Sequence, residues 1–295
     1  MSNENLPPIH TLWNYNAPAE TAVTFRELLA QVEVVDATEY YLELQTQLAR
    51  TESLQGNFDA AHAILDEVEP KLASDFPLAQ MRYLLERGRS FNSAGEPETA
   101  VPLFKEAYDI GLATGASEDL TIDAAHMLGI AMPTTAVQLE WNLLALDLAE
   151  KATTARGKRW KGSLYNNIGW TYNDMGEYEK ALDIFERTLA YYQDEQPEQT
   201  QYIRIARWSI AKILRLLKHP DEALTMQHAL EAEYAAEGGD QDGFVFEELA
   251  ECYLLKGEET TAKSYFVKAY DLLAQVDWLV RADPERLERM AALAK

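Results

Sequence analysis

SLYNNIGWTYNDMGEYEKALDIFERTL, residues Ser163–Leu189, decides the reading of this chain. Tyr165, Ile168, Gly169 and Tyr172 share one helical face, because residues three and four apart meet on a helix. Gly176 and Tyr178 mark a turn, and Ala181, Phe185 and Leu189 share a face of a second helix. Gly169 and Ala181 have almost no side chain, so the two helices can approach closely where they cross. Tyr172, Tyr178 and Phe185 then fill the space around that contact. One such hairpin cannot bury its apolar face alone, so it needs neighbours.

Those offsets closely resemble the tetratricopeptide repeat, which reads W-x2-L-G-x2-Y and then A-x3-F. The resemblance implies an all-α, right-handed α-solenoid (superhelix) whose concave groove binds other proteins. The chain as a whole resembles bacterial tetratricopeptide proteins.

The signal recurs. A turn followed five residues later by alanine is found at Gly56 and Ala61, Gly95 and Ala100, Gly176 and Ala181, Lys218 and Ala223, and Gly257 and Ala262. Between Ala100 and Ala181 there is room for one more unit, His126 to Ala152. Leu128 and Gly129 fit its first helix and Val137 and Trp141 its second, with a shortened turn at Pro133. This makes about six units with a period near ~40 residues, longer than the common ~34. Longer helices account for the excess; Gln196 to Leu217 reads as one helix of roughly 30 Å at ~1.5 Å per residue. Repeats of this length resemble those of kinesin light chains and bacterial peptide-sensing regulators. The pattern is imperfect: Arg87 takes a Leu position, Glu52 a Tyr position, and Pro97 and Pro220 the place of the turn aromatic.

The expected organisation is an irregular arm over 1–19, a leading helix over 20–35, the repeats over 36–282 (starting near 42, 81, 122, 162, 204 and 243) and a capping helix over 283–295. Trp13 and Tyr15 are candidates to pin the arm onto the first repeat. Phe25, Leu28, Leu29 and Val32 share a face of the leading helix. Pro284 suits the first turn of the last helix.

Composition narrows the function. The 295 residues are 47% hydrophobic, which fits a folded chain rather than a disordered one. A net charge of −23 disfavours nucleic acid and anionic membranes as partners. From 155 to 218, however, basic residues outnumber acidic ones eleven to eight, which can steer an acidic partner there. The N-terminal sequence lacks the basic and apolar regions of a secretion signal. The single cysteine, Cys252, reads as a buried inert thiol. Together these features predict a cytoplasmic location.

The resemblance also assigns candidate groove residues, since the first helix of each unit would line the concave face. On that basis the peptide-binding groove comprises Arg50, Arg82, Arg89, His126, Asn166, Trp170, Asn173, Trp208, Lys212 and Arg215. Arg and Lys can pair with carboxylates, Asn can bond an extended backbone, and Trp and Arg are common hot spots. Asn166 and Lys212 match two positions of the family's carboxylate clamp, but the full Lys-x3-Asn, Asn, Lys-x3-Arg pattern is absent. Each group has a second reading: the tryptophans as packing between repeats, the arginines as partners of neighbouring Glu residues, and His126 as a helix-surface or core histidine.

Catalytic, cofactor and metal motifs are not found. There is no phosphate-binding Gly loop, and His10, His62, His126, His219 and His228 lie in no ligand spacing. The chain is therefore expected to be no enzyme, without cofactor, and to bind an extended or helical, acidic peptide or protein. The alternatives are a stand-alone ligand-responsive regulator, since about 35 residues precede the first repeat and a DNA-binding domain needs more, and a self-associating protein that forms a homodimer.

Overall fold

A computed structural model describes residues 6–32, 38–238 and 242–295. The described chain is all helical, an α-solenoid of helical hairpins. It divides into two compact units, Met1–Leu164 and Tyr165–Lys295.

The first unit begins with a 3-10 turn at Ile9–Leu12 and α1 at Pro18–Leu29. Three hairpins follow: α2 (Thr38–Leu54) with α3 (Phe58–Val68), α4 (Pro77–Ser93) with α5 (Pro97–Thr114), and α6 (Glu118–Ala131) with α7 (Thr135–Lys151). The unit boundary falls within α8 (Ala155–Asp174). In the second unit the C-terminal half of α8 pairs with α9 (Tyr178–Glu195), α10 (Thr200–Leu216) with α11 (Pro220–Ala236), and α12 (Gly243–Leu255) with α13 (Glu259–Leu273). Short α14 (Asp277–Ala282) and α15 (Pro284–Leu293) end the chain. Within each unit the first helices of successive hairpins lie side by side, α2 beside α4 beside α6, and α10 beside α12.

Proline opens α1, α4, α5, α11 and α15, where its missing N–H costs nothing. Apart from the shortened third turn, the hairpin turns pass through a left-handed residue, glycine at Gly176 (φ 75°) but lysine at Lys218 (φ 67°) in the fifth hairpin. Gly169 is small for a packing reason: a Cβ there would stand 2.6 Å from the Phe185 ring. Gly88 meets Phe104 in the same way, at 2.5 Å. Phe25, Phe104, Phe185, Phe246 and Phe266 are fully buried, and truncating such a ring to Ala costs about 3–5 kcal/mol.

The third hairpin corrects the sequence reading by one residue. Asn142, not Trp141, faces Gly129, and its Nδ2 donates to the Gly129 carbonyl at 3.2 Å. Trp141 instead packs edge-on against Tyr108, with ring centroids 5.2 Å apart. The cause is the short turn, closed by Gln138 Nε2 donating to the Met132 carbonyl at 2.7 Å.

Three expected boundaries move. The leading helix runs from Pro18 to Leu29 rather than over 20–35, and residues 33–35 of that expectation lie outside the described residues. The 1–19 arm contains the 3-10 turn, and its residues 1–5 also lie outside the described residues. The helix read from Gln196 starts at Thr200, because a residue before proline (Gln196 before Pro197) is pushed out of the helical region. Among the described residues no helix is long and apolar enough to cross a membrane.

Candidate functional site

The first helices of the hairpins carry the candidate residues, and in the first unit these form an ionic ladder. Arg82 Nε donates to Glu43 at 3.2 Å. Arg50 and Arg89 both reach Glu86, at 3.1 and 3.0 Å, and Gln47 donates to the same carboxylate. Arg89 continues to Asp123 at 2.5 Å. Glu86 is almost fully buried. Burial alone would raise its pKa, but Arg89, Arg50 and Arg82 more than offset that and hold it below the ordinary carboxylate value. Arg50, Arg82 and Arg89 thus already have carboxylate partners on the adjacent first helix. His126 lies against Trp160, ring centroids 5.0 Å apart and the planes tilted by 48°, and burial lowers its pKa. Trp160 Nε1 donates to Asp119 at 3.0 Å.

The second unit repeats the ionic pattern and adds an aromatic one. Arg215 meets Glu248 at 2.7 and 3.1 Å, while the Lys212 ammonium stays 3.8 Å from it. Arg286 pairs with Glu247 at 2.7 Å, and Arg289 with Glu251. Across α8, α10, α12 and α14 runs a row of rings. Trp170 lies 5.8 Å from Trp208, Trp208 6.2 Å from Phe244, and Phe244 6.2 Å from Trp278, the last pair nearly parallel. Lys212 sits over both indoles, 5.5 Å from Trp170 and 5.1 Å from Trp208. Trp208 Nε1 is satisfied by the Phe244 carbonyl and Trp170 Nε1 by Asn166 Oδ1. Trp278 remains 60% exposed at the end of the row.

Beside this row, between α10, α11 and α12, is a cavity of about 330 Å³ lined by Ile205, Trp208, Leu230, Tyr234, Phe244 and Val245. Its polar groups are Gln201, Arg204 and Asp242. Arg204 lies over the Tyr234 ring and pairs with Glu233 and Glu237. The Tyr234 hydroxyl donates to Asp242 at 3.2 Å, and burial together with that carboxylate pushes its pKa to about 12. The cavity is therefore apolar at its walls, with Arg204 paired to glutamates and Asp242 accepting from Tyr234 and the Phe244 N–H.

The structure brings Asn166, Trp170, Trp208, Lys212 and Arg215 together in the second unit, and Arg50, Arg82, Arg89 and His126 into the ladder of the first. Asn173 lies apart, near the end of α8, donating to Asp174 at 3.0 Å. Tyr234, Trp278 and Arg204 escaped the sequence reading. Tyr234 is on a second helix and Trp278 beyond the last repeat, so the rule that first helices line the site passes over both. A tryptophan on a short helix that directly follows the last hairpin is the signal that could have found Trp278.

Two family models match the chain, both described as tetratricopeptide repeat, over residues 81–148 and 162–194. No curated protein sequence matches it. Among solved structures it is similar to the apo form of RapI, with a TM-score of 0.69 and 15% identity over 95% of this chain and 84% of that one. It is similar to a signal-transduction ATPase with a tetratricopeptide repeat sensor from Pyrococcus horikoshii, with a TM-score of 0.70 and 16% identity over 94% of this chain but 44% of that one. It is also similar to NprR bound to its cognate peptide NprX, with a TM-score of 0.55 and 15% identity over 97% of this chain and 81% of that one. Identities this low speak for the fold alone.

Proposed function

We propose that this chain, a member of the tetratricopeptide repeat family, is a protein-interaction module and not an enzyme, and that its second unit holds the peptide site. The observation that carries this reading is the row Trp170, Trp208, Phe244 and Trp278 beside an apolar cavity. Large rings partly open to solvent and flanking a pocket are the usual anchors of binding energy. An extended peptide would lie along the row and place one apolar or aromatic side chain in the cavity.

An acidic residue on that peptide would be taken by Lys212. Its ammonium is held loosely by Glu248 at 3.8 Å, whereas Arg215 is committed to the same carboxylate at 2.7 Å. Lys212 can therefore turn to a ligand carboxylate without leaving Glu248 unpaired. NprR is solved with a peptide, which supports a peptide ligand for this fold without identifying one here.

The test is selection of a random peptide library on the full chain, in parallel with Ile205→Glu and Trp278→Ala. Both side chains are substantially exposed, so folding should survive, with unchanged thermal unfolding as the control. Peptides enriched by the wild type and lost from both variants support the site. The same peptides recovered from all three proteins would overturn it.

A further inference from the structure

Residues 6–16, ahead of α1, run across the first-helix face of the first unit. The Tyr40 hydroxyl on α2 donates to the Pro7 carbonyl at 2.8 Å. Ile9 is buried in a cluster with Phe25, Leu44 and Leu48. Trp13 Nε1 donates at 2.9 Å to Gln47, which in turn donates to Glu86 in the ionic ladder. The Trp13 ring stacks on Tyr15 at 4.6 Å and meets Phe25 edge-on. His10 Nδ1 lies 3.2 Å from Arg156 on α8, 146 residues further along the chain. An arginine only donates, so this nitrogen is the acceptor and the imidazole is neutral.

The segment thus spans from α2 to α8, and the charges it meets include Arg82 on α4 and Asp119 on α6. It makes the contacts expected of a bound peptide: a backbone carbonyl accepting from a hydroxyl, a buried aliphatic residue, and an indole four residues later bonded to an amide. Beside His10 and Tyr15 a cleft of about 310 Å³ reaches Arg156, Arg159 and Trp160. Arg156 is shared with Asp119, while Arg159 is exposed and has no ion-pair partner among the described residues. His10 is a poor match for two guanidinium groups; a carboxylate would suit them better.

We infer that residues 6–16 are a strap occupying a second peptide-docking face, and that the strap is displaced by an extended segment carrying an aliphatic residue, a carboxylate next to it, and an aromatic residue four positions after the aliphatic one. The aliphatic side chain replaces Ile9, the carboxylate faces Arg156 and Arg159, and the aromatic ring replaces Trp13 on Gln47. This goes beyond the peptide site of the second unit and does not depend on it.

The probe is a fluorescein-labelled synthetic peptide of residues 6–16 carrying His10→Glu, titrated onto the full chain by fluorescence anisotropy. A face closed by its own strap about nine-tenths of the time binds a competitor about ten-fold more weakly than an open face. The full chain with Ile9→Ala and His10→Ala, which weakens the strap's own hold but leaves the face beneath it unchanged, should therefore bind the probe about ten-fold more tightly than the wild type. Adding Arg159→Glu to the loosened chain should remove that gain, whereas Trp278→Ala should not. Circular dichroism melting checks that the loosened chain remains folded, and amide exchange at residues 156–160 should rise in it as the strap opens. Equal binding by wild type and loosened chain, no binding by either, or binding indifferent to Arg159→Glu would each overturn the proposal.

Discussion

Arg215 grips Glu248 from one hairpin to the next, Nε to one carboxylate oxygen at 2.7 Å and a terminal nitrogen to the other at 3.1 Å. Glu248 is 2% exposed, so its charge has little water to fall back on. Removing Arg215 leaves that buried charge with only the longer 3.8 Å contact to Lys212. Arg215→Met should therefore cost about 3–5 kcal/mol in urea unfolding. Lys212→Met should cost about 1 kcal/mol or less, since Lys212 contributes a longer contact and two ring contacts. Equal losses from the two variants would mean that Arg215 has no special structural role and is as free for a ligand as Lys212.

Gln227 shows where a repeat position is badly filled. It lies four residues after Ala223, the place that Phe104 takes after Ala100 and Phe185 after Ala181. It is fully buried, and neither its oxygen nor its nitrogen has a hydrogen-bond partner. Gln227→Met keeps the length of the side chain and removes both stranded polar groups. It should stabilise the chain by about 1–3 kcal/mol, read by urea unfolding. A loss of stability would show that the amide is satisfied in solution.

Glu118 secures the start of α8. Its carboxylate accepts the backbone N–H and hydroxyl groups of Thr154 and Thr153 at 2.8–3.1 Å. These bonds lower its pKa from 4.5 to about 2. A depressed carboxylate contributes stability that is complete above the unfolded value of 4.5 and is lost as pH falls toward 2. Over that window the melting temperature of Glu118→Gln should fall less steeply than that of the wild type. Parallel curves would remove Glu118 from the acid response.

Cys252 should be silent toward thiol reagents in the native state. It is fully buried, and burial, with Glu248 nearby, pushes its pKa up to about 12. Only the thiolate attacks, so labelling by iodoacetamide at pH 8 should follow unfolding. Rapid modification of the folded chain would show that α12 opens readily.

The repeat was legible because its demands are local. Gly169 and Phe185, or Gly88 and Phe104, must be small and large at a fixed offset for two helices to cross, whatever else the chain does. The third hairpin slipped by one residue because Asn142 does the work of a phenylalanine through a hydrogen bond, and a spacing rule built on aromatic residues cannot see that. Trp170, Trp208 and the cations were located on the first helices, but their partners were not.

From its sequence alone this chain is determined to be a stack of α-hairpins, since glycine at the turns and small residues at the crossings recur with one period. Tertiary structure alone decided which cations are already engaged. Arg82 and Glu43, Arg89 and Asp123, and Arg215 and Glu248 stand 33 to 39 residues apart, each pair joined across neighbouring hairpins. The same holds for the ring row that ends on Trp278 and for the contact of His10 with Arg156. Charge neutralisation and ring packing depend on distance in space, and a linear pattern records that distance only within a turn or two of helix.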